Sequence, residues 1–156
     1  MKRILKCIIL MLVTLLVSCS APSAAPAAVS ESEKAVKEMA ASLKLSGRLE
    51  KEKERIVRGK VFDGEDVCSQ MTLYKAVDEA DASRIGVFIS DDTAVTETFL
   101  ESYLAAEKKR MSLTHPDQVF MLSNAVLRSG KGVTVLVVCE NIEEAKRIVN
   151  AYFGEE

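Results

Sequence analysis

Between Glu33 and Leu45 the apolar residues Val36, Met39, Ala40 and Leu43 recur at i, i+3, i+4 and i+7, the spacing of one helix face. Ser46-Gly47 ends that pattern. Charges then crowd through "RLEKEKERIVRGK", residues 48–60, with Lys51 and Arg55 four apart, which predicts a solvated helix face or an exposed connection. The period changes to two in "VCSQMTLYKAV", residues 67–77: Val67, Met71, Leu73 and Val77 point one way, Cys68, Gln70, Thr72 and Tyr74 the other. That is the signature of a half-buried strand. "DEADAS" supplies a turn, and "RIGVFIS" predicts a second strand antiparallel to the first.

Asp91, Asp92 and Thr93 can each cap a helix over about 94–111, and the "EKKR" run near its end complements the helix dipole. Its expected buried stripe is Val95, Phe99 and Ala106, with Leu100 or Tyr103 at the edge. A turn and a short helix from Pro116 follow, Pro being suited to a first helical position. "AVLRSGKGVTVLVVC" reads as two strands joined around Ser129 to Gly132. The second of them, Val133 to Cys139, is apolar on both faces, which predicts a central strand. In the closing segment Asn141 can cap, Glu144 takes the capping-box position, and Ile142, Ala145, Ile148, Val149, Tyr152 and Phe153 share one face. The order predicts an α+β fold: a two-layer sandwich with a mainly antiparallel four-stranded sheet and helices packed on one face.

The beginning of the chain has another logic. Lys2, Arg3 and Lys6 form a positive stretch ahead of the apolar run Cys7–Val17, the division of a secretory signal. The run is too short for a bilayer core about 30 Å thick, so it predicts a removable leader rather than a permanent span. Leu16, Val17, Ser18 and Cys19 resemble the bacterial lipobox. That resemblance implies a diacylglyceryl thioether on Cys19, cleavage by a lipoprotein signal peptidase between Ser18 and Cys19, and Cys19 as the mature N-terminus. The alternative is an ordinary signal peptide cut a few residues later, near "APSAAPAA". Two acyl chains hold a protein stably at a bilayer where one holds it marginally, each buried methylene contributing about 0.8 kcal/mol. "SAPSAAPAAVSES" after Cys19 has no large apolar residue and two prolines, so it reads as a flexible tether. The expected organisation is a lipoprotein signal peptide over 1–18, lipidated Cys19 and tether over 19–32, and one domain over 33–156.

The 156-residue chain carries 21 Lys and Arg against 23 Asp and Glu; loss of Lys2, Arg3 and Lys6 with the leader takes the net charge from −2 to −5. An acidic chain with no basic cluster is repelled by phosphate backbones, so nucleic acid is not an expected partner. Trp is absent, which argues against a stacking platform for sugars. Cys68 and Cys139 are the thiols left after the leader and the lipid site. Two free, partly buried thiols are expected; the alternative bridge would close a loop of about 70 residues and stabilise by ~4 kcal/mol.

Catalytic chemistry is not written in familiar motifs. The single histidine, His115, precedes Pro116 in a turn, and "SGKG" lacks the flanking residues of a phosphate loop. The acids at Asp63, Glu65, Asp66, Asp78, Glu79, Asp81, Asp91 and Asp92 do not follow calcium-loop spacing. No metal, cofactor or catalytic residue is therefore assigned.

"ADASRIGVFIS", the long helix after it, and "HPDQVFMLSNAVLRSGKGVTVLVVCENIEEAKRIVNAYFG" resemble a family of uncharacterised lipoproteins of Gram-positive bacteria, whose C-terminal region is a domain of unknown function. The likeness covers roughly residues 33–153, with Thr114-His115-Pro116 standing where such proteins carry Tyr-x-Pro. It implies a lipoprotein and no particular reaction. The expectation is a non-catalytic binding or interaction module on the outer face of the cell membrane, meeting an envelope protein or a small ligand. The alternative is a carboxylate-dependent hydrolase acting on envelope material.

Overall fold

The computed structural model describes residues 30–155. The leader, Leu16, Val17, Ser18, Cys19 and nearly all of the tether lie outside the described residues. Helix α1 spans Glu31–Ser42 and β1 Leu49–Lys51, followed by α2 over Glu54–Val61, β2 over Gln70–Ala76 and β3 over Arg84–Ile89. Helix α3 covers Thr93–Thr114, a 3-10 turn at Pro116–Gln118 leads into α4, Val119–Ser123, and β4 (Val126–Gly130), β5 (Val133–Val138) and α5 (Ile142–Phe153) complete the chain.

The strands form one sheet in the order β1-β2-β3-β5-β4, antiparallel at every neighbour. Gly130 and Val133 pair across the β4–β5 hairpin, whose turn residues Lys131 and Gly132 have φ of 53° and 78°. Two successive positive φ values match the right-handed twist of the flanking strands, and glycine at the second position adopts that geometry without strain.

The α+β class and the antiparallel sheet agree with the sequence pattern, but the sheet has five strands instead of four, and helices cover both of its faces. The reason lies in the interior strands. Ile85 and Val87 of β3 and Val135 and Val137 of β5 pack against α1 and α5, while Phe88, Leu136 and Val138 pack on the other side against α2, α3 and α4. A strand apolar at successive positions needs cover above and below. A one-sided sandwich would leave one of these two cores in water.

Three local readings also shift. The charged stretch after Gly47 splits into the edge strand β1 and the helix α2, whose Val57 and Val61 are buried one turn apart. Strand β2 begins at Gln70, so alternation does not extend back to Cys68, which is buried with Met71 and Leu73; the expected polar face is itself covered by α1, with Thr72 buried and Tyr74 packed on the second core, and Val77, past the strand end, is 59% exposed. Along α3 the buried positions are Thr96, Leu100, Leu104 and Met111, so the stripe is rotated away from Val95 and Ala106. Thr96 tolerates burial because its hydroxyl bonds the Asp92 carbonyl at 3.1 Å and lies 2.8 Å from the Ser90 hydroxyl.

Helix α1 starts at Glu31, two residues before the apolar periodicity becomes visible, because Ser30 caps it through the Glu33 amide. Ser32 is buried and shares a 2.8 Å hydrogen bond with Thr72 of β2, so the fold includes the last residues of the expected tether. Glu33 accepts from Lys37 at 2.8 Å and pairs with Lys51 of β1; these two hydrogen bonds outweigh burial and bring its pKa from 4.5 to about 2. A folded-state pKa below the unfolded value gives stability that is present above pH ~4.5 and is lost as pH falls toward 2. Glu33→Gln is expected to flatten this acid limb, measured as a smaller difference between urea midpoints at pH 6 and pH 3 than in the unmodified chain.

Candidate functional site

On the face covered by α2, α3 and α4, a hollow of about 380 Å³ opens between α2, the middle of α3 and the sheet. This lies within the usual size range of small-molecule sites. Its floor carries two cations side by side. Lys75 of β2 and Arg84 of β3 are cross-strand partners and point to the same face as Leu73 and Phe88. Like charges directly opposite one another destabilise a sheet unless each is compensated. Each has its own carboxylate: Glu52 lies 2.8 Å from the Lys75 ammonium, and Glu107 of α3 lies 2.9 Å from Arg84 Nη1.

Arg84 is only 3% exposed. Its Nε donates to the Ala82 carbonyl at 3.0 Å, Nη1 donates to Glu107 and to the Tyr103 hydroxyl, and its Cζ stands 5.4 Å from the centre of the Tyr103 ring. Tyr103 and Glu107 are one turn apart on α3, which aims both at the start of β3. Burial pushes the Tyr103 phenol up, so it stays protonated and can pass its own hydrogen to an acceptor in the hollow. Burial also pushes the Glu107 carboxyl up, but hydrogen bonds and charge from Arg110 and Arg84 outweigh it and leave the acid below its ordinary value. Glu107 is thus an ionised structural partner and a poor proton donor.

One wall is apolar, made by Ile56, Val57 and Val61 of α2 with Leu73 beneath and Ala106 of α3 opposite. The rim carries Lys60 on one side and Asp78 and Glu79 on another. Asp81 is occupied by Arg48 at 2.8 Å and by the Ser83 amide. The lining holds four cations and five acids in all, a near balance that disfavours a ligand of high charge.

The residues singled out in the sequence do not converge on this hollow. Both thiols are free: Cys68 packs in the core under α2 and α3, and Cys139 in the core on the opposite face of the sheet. Burial pushes both thiols up, so neither is an activated nucleophile. His115 ends α3, with Nδ1 3.0 Å from the Thr114 hydroxyl. The "SGKG" segment is the β4–β5 turn, and Asp92 caps α3. Among the described residues no three His, Cys, Asp or Glu side chains gather in a way that could hold a metal ion, and no helix is long and apolar enough to cross a membrane.

Arg84, Tyr103 and Glu107 were missed by motif. The available signals were an arginine opening an otherwise apolar strand and a Tyr/Glu pair at i, i+4 on the facing helix. No family model, curated protein or solved structure matches the chain.

Proposed function

We propose that this chain is a membrane-anchored, extracytoplasmic lipoprotein whose folded domain is a non-catalytic binding module, with the hollow between α2 and α3 as its ligand site. The address rests on the charged and apolar leader and on Leu16-Val17-Ser18-Cys19; the resemblance to uncharacterised Gram-positive lipoproteins points the same way. The single observation that carries the binding reading is the composition of the hollow: a buried, paired arginine on its floor and an apolar wall facing it. An apolar wall beside polar groups fixed in place by their own partners gives a small molecule both burial and orientation.

The rival, a hydrolase working through carboxylates, needs one carboxyl with a raised pKa to serve as acid. In this hollow the carboxyl nearest the buried floor, Glu107, is shifted the other way and is engaged by two guanidinium groups. Binding therefore accounts for the arrangement better than acid catalysis does.

Two measurements test the two halves of the proposal. Cys19→Ala is expected to leave the membrane fraction or to accumulate as unprocessed precursor; fractionation and migration identical to the unmodified chain would refute the anchor. A thermal-shift screen of small metabolites on the full chain is expected to yield ligands whose effect is lost in Ile56→Asp, which puts an acid on the apolar wall. A silent screen would refute the ligand site.

A further inference from the structure

Arg84 has more hydrogen-bonding capacity than the fold uses. A guanidinium offers five N–H donors. Nε serves Ala82, Nη1 serves Tyr103 and Glu107, and Nη2 makes no hydrogen bond to any described residue. Yet among the described residues no fully buried side-chain nitrogen or oxygen is without a partner. Nη2 must therefore reach open volume, and the volume that Arg84 lines is the hollow between α2 and α3. A side chain only 4% exposed, held on three sides and presenting two free donors to a cavity, is arranged to receive an acceptor.

Resting on the binding reading given above, we infer that this hollow binds a singly charged carboxylate carrying a short aliphatic group, with the carboxylate on Arg84 Nη2 and Lys75 and the aliphatic part against Ile56, Val57 and Val61. Four features select this chemistry. Lys75 is the cross-strand neighbour of Arg84 and, with one hydrogen bond to Glu52, retains two donors. Two adjacent cationic donors match the two oxygens of one carboxylate. Glu107 and Glu52 already offset most of that positive charge, and Asp78 and Glu79 stand at the rim, so phosphates and polycarboxylates meet repulsion. The apolar wall and a volume near 380 Å³ suit a chain of a few carbons or one to two aliphatic residues, not a long acyl chain.

The chemistry has two sources: a free short-chain acid, or the C-terminal end of a small apolar peptide, whose ammonium group would face Asp78 and Glu79. The test is calorimetric titration of the full chain in lipid nanodiscs, against empty nanodiscs, with hexanoate, Leu-Leu, hexanamide, Leu-Leu amide and hexylamine. Saturable binding of one or both carboxylates is expected, with a dissociation constant on the order of 0.1 mM for ligands this small. The matching amides are expected to bind at least about tenfold more weakly, since they lack the charge-assisted pair. Tighter binding of Leu-Leu than of hexanoate identifies a peptide source, and the reverse a free acid.

Arg84→Lys is expected to weaken carboxylate binding about tenfold or more and amide binding by a smaller factor, since the amide carbonyl loses a neutral hydrogen bond and the carboxylate a charge-assisted one. Should that variant fold poorly, Lys75→Gln at the more exposed partner is expected to weaken carboxylate binding about fivefold. Equal binding of acid and amide, or binding of hexylamine alone, would overturn the carboxylate assignment while leaving the hollow as a ligand site. Silence from every probe, joined to a silent thermal-shift screen, would overturn both readings.

Discussion

Phe88→Ala is expected to destabilise the domain by about 3–5 kcal/mol, the range for removing a buried aromatic ring, read as a lower urea midpoint with an unchanged slope. The ring is fully buried in β3 and meets Phe62 edge-on, at 5.6 Å between centres and 75° between planes. Phe62, just past α2, meets Phe99 of α3 in the same manner at 5.7 Å. Phe88 is therefore the sheet's contribution to an aromatic chain that ties β3 to α2 and α3, and its loss opens a cavity that helices anchored elsewhere cannot fill. Domains of this size hold only about 5–15 kcal/mol in total, so the variant should be close to unfolding.

The space beside that ring accounts for Gly86. A Cβ at this position would stand 2.6 and 2.8 Å from two Phe88 ring atoms and 3.2 Å from Leu73 Cδ1. Gly86→Ala should then cost about 1–3 kcal/mol through overpacking. In Gly86→Ala/Phe88→Leu the smaller side chain yields room to the new methyl, so the double variant should lose less than the two single ones together. Strict additivity would place the ring elsewhere.

Why part of this was legible in the sequence and part was not follows from the range of each signal. The strands 84–89 and 133–138 and the helix ending at Phe153 are announced by local pattern, since period two and period 3.6 are written into consecutive residues. The first strand is three residues long, too short for any period, and it is a strand only because β2 offers an edge to pair with. The second helical layer was likewise legible in principle, because a strand apolar on both faces needs two covers, and β5 is such a strand. The hollow is different in kind. Arg84 and Glu107 are 23 residues apart and Lys75 meets Arg84 only through strand register, so no local spacing reports them. In sequence Glu107 is one member of an "EKKR" run that a solvated helix face explains sufficiently.

Glu107→Ala is the substitution expected to separate that surface explanation from a buried one. If Glu107 only made its i,i+3 surface pair with Arg110, its removal would cost a few tenths of a kcal/mol. With Arg84 at 3% exposure the variant instead strands a cation whose remaining partners, the Ala82 carbonyl and the Tyr103 hydroxyl, are neutral. Breaking one side of a buried ion pair costs about 3–5 kcal/mol, and the lower end applies because the Glu107 side chain keeps 20% of its exposure. Glu107→Gln should cost less, retaining an acceptor but no charge. Replacing the pair together, as Arg84→Met/Glu107→Leu, should recover most of the loss, since well-packed apolar side chains commonly match a buried pair in stability. Recovered stability with lost carboxylate binding would show that the fold can dispense with the pair and the ligand cannot. Urea unfolding of the three variants at pH 7 gives the first comparison and hexanoate titration of the double variant the second. A loss below about 0.5 kcal/mol for Glu107→Ala would contradict the burial of Arg84.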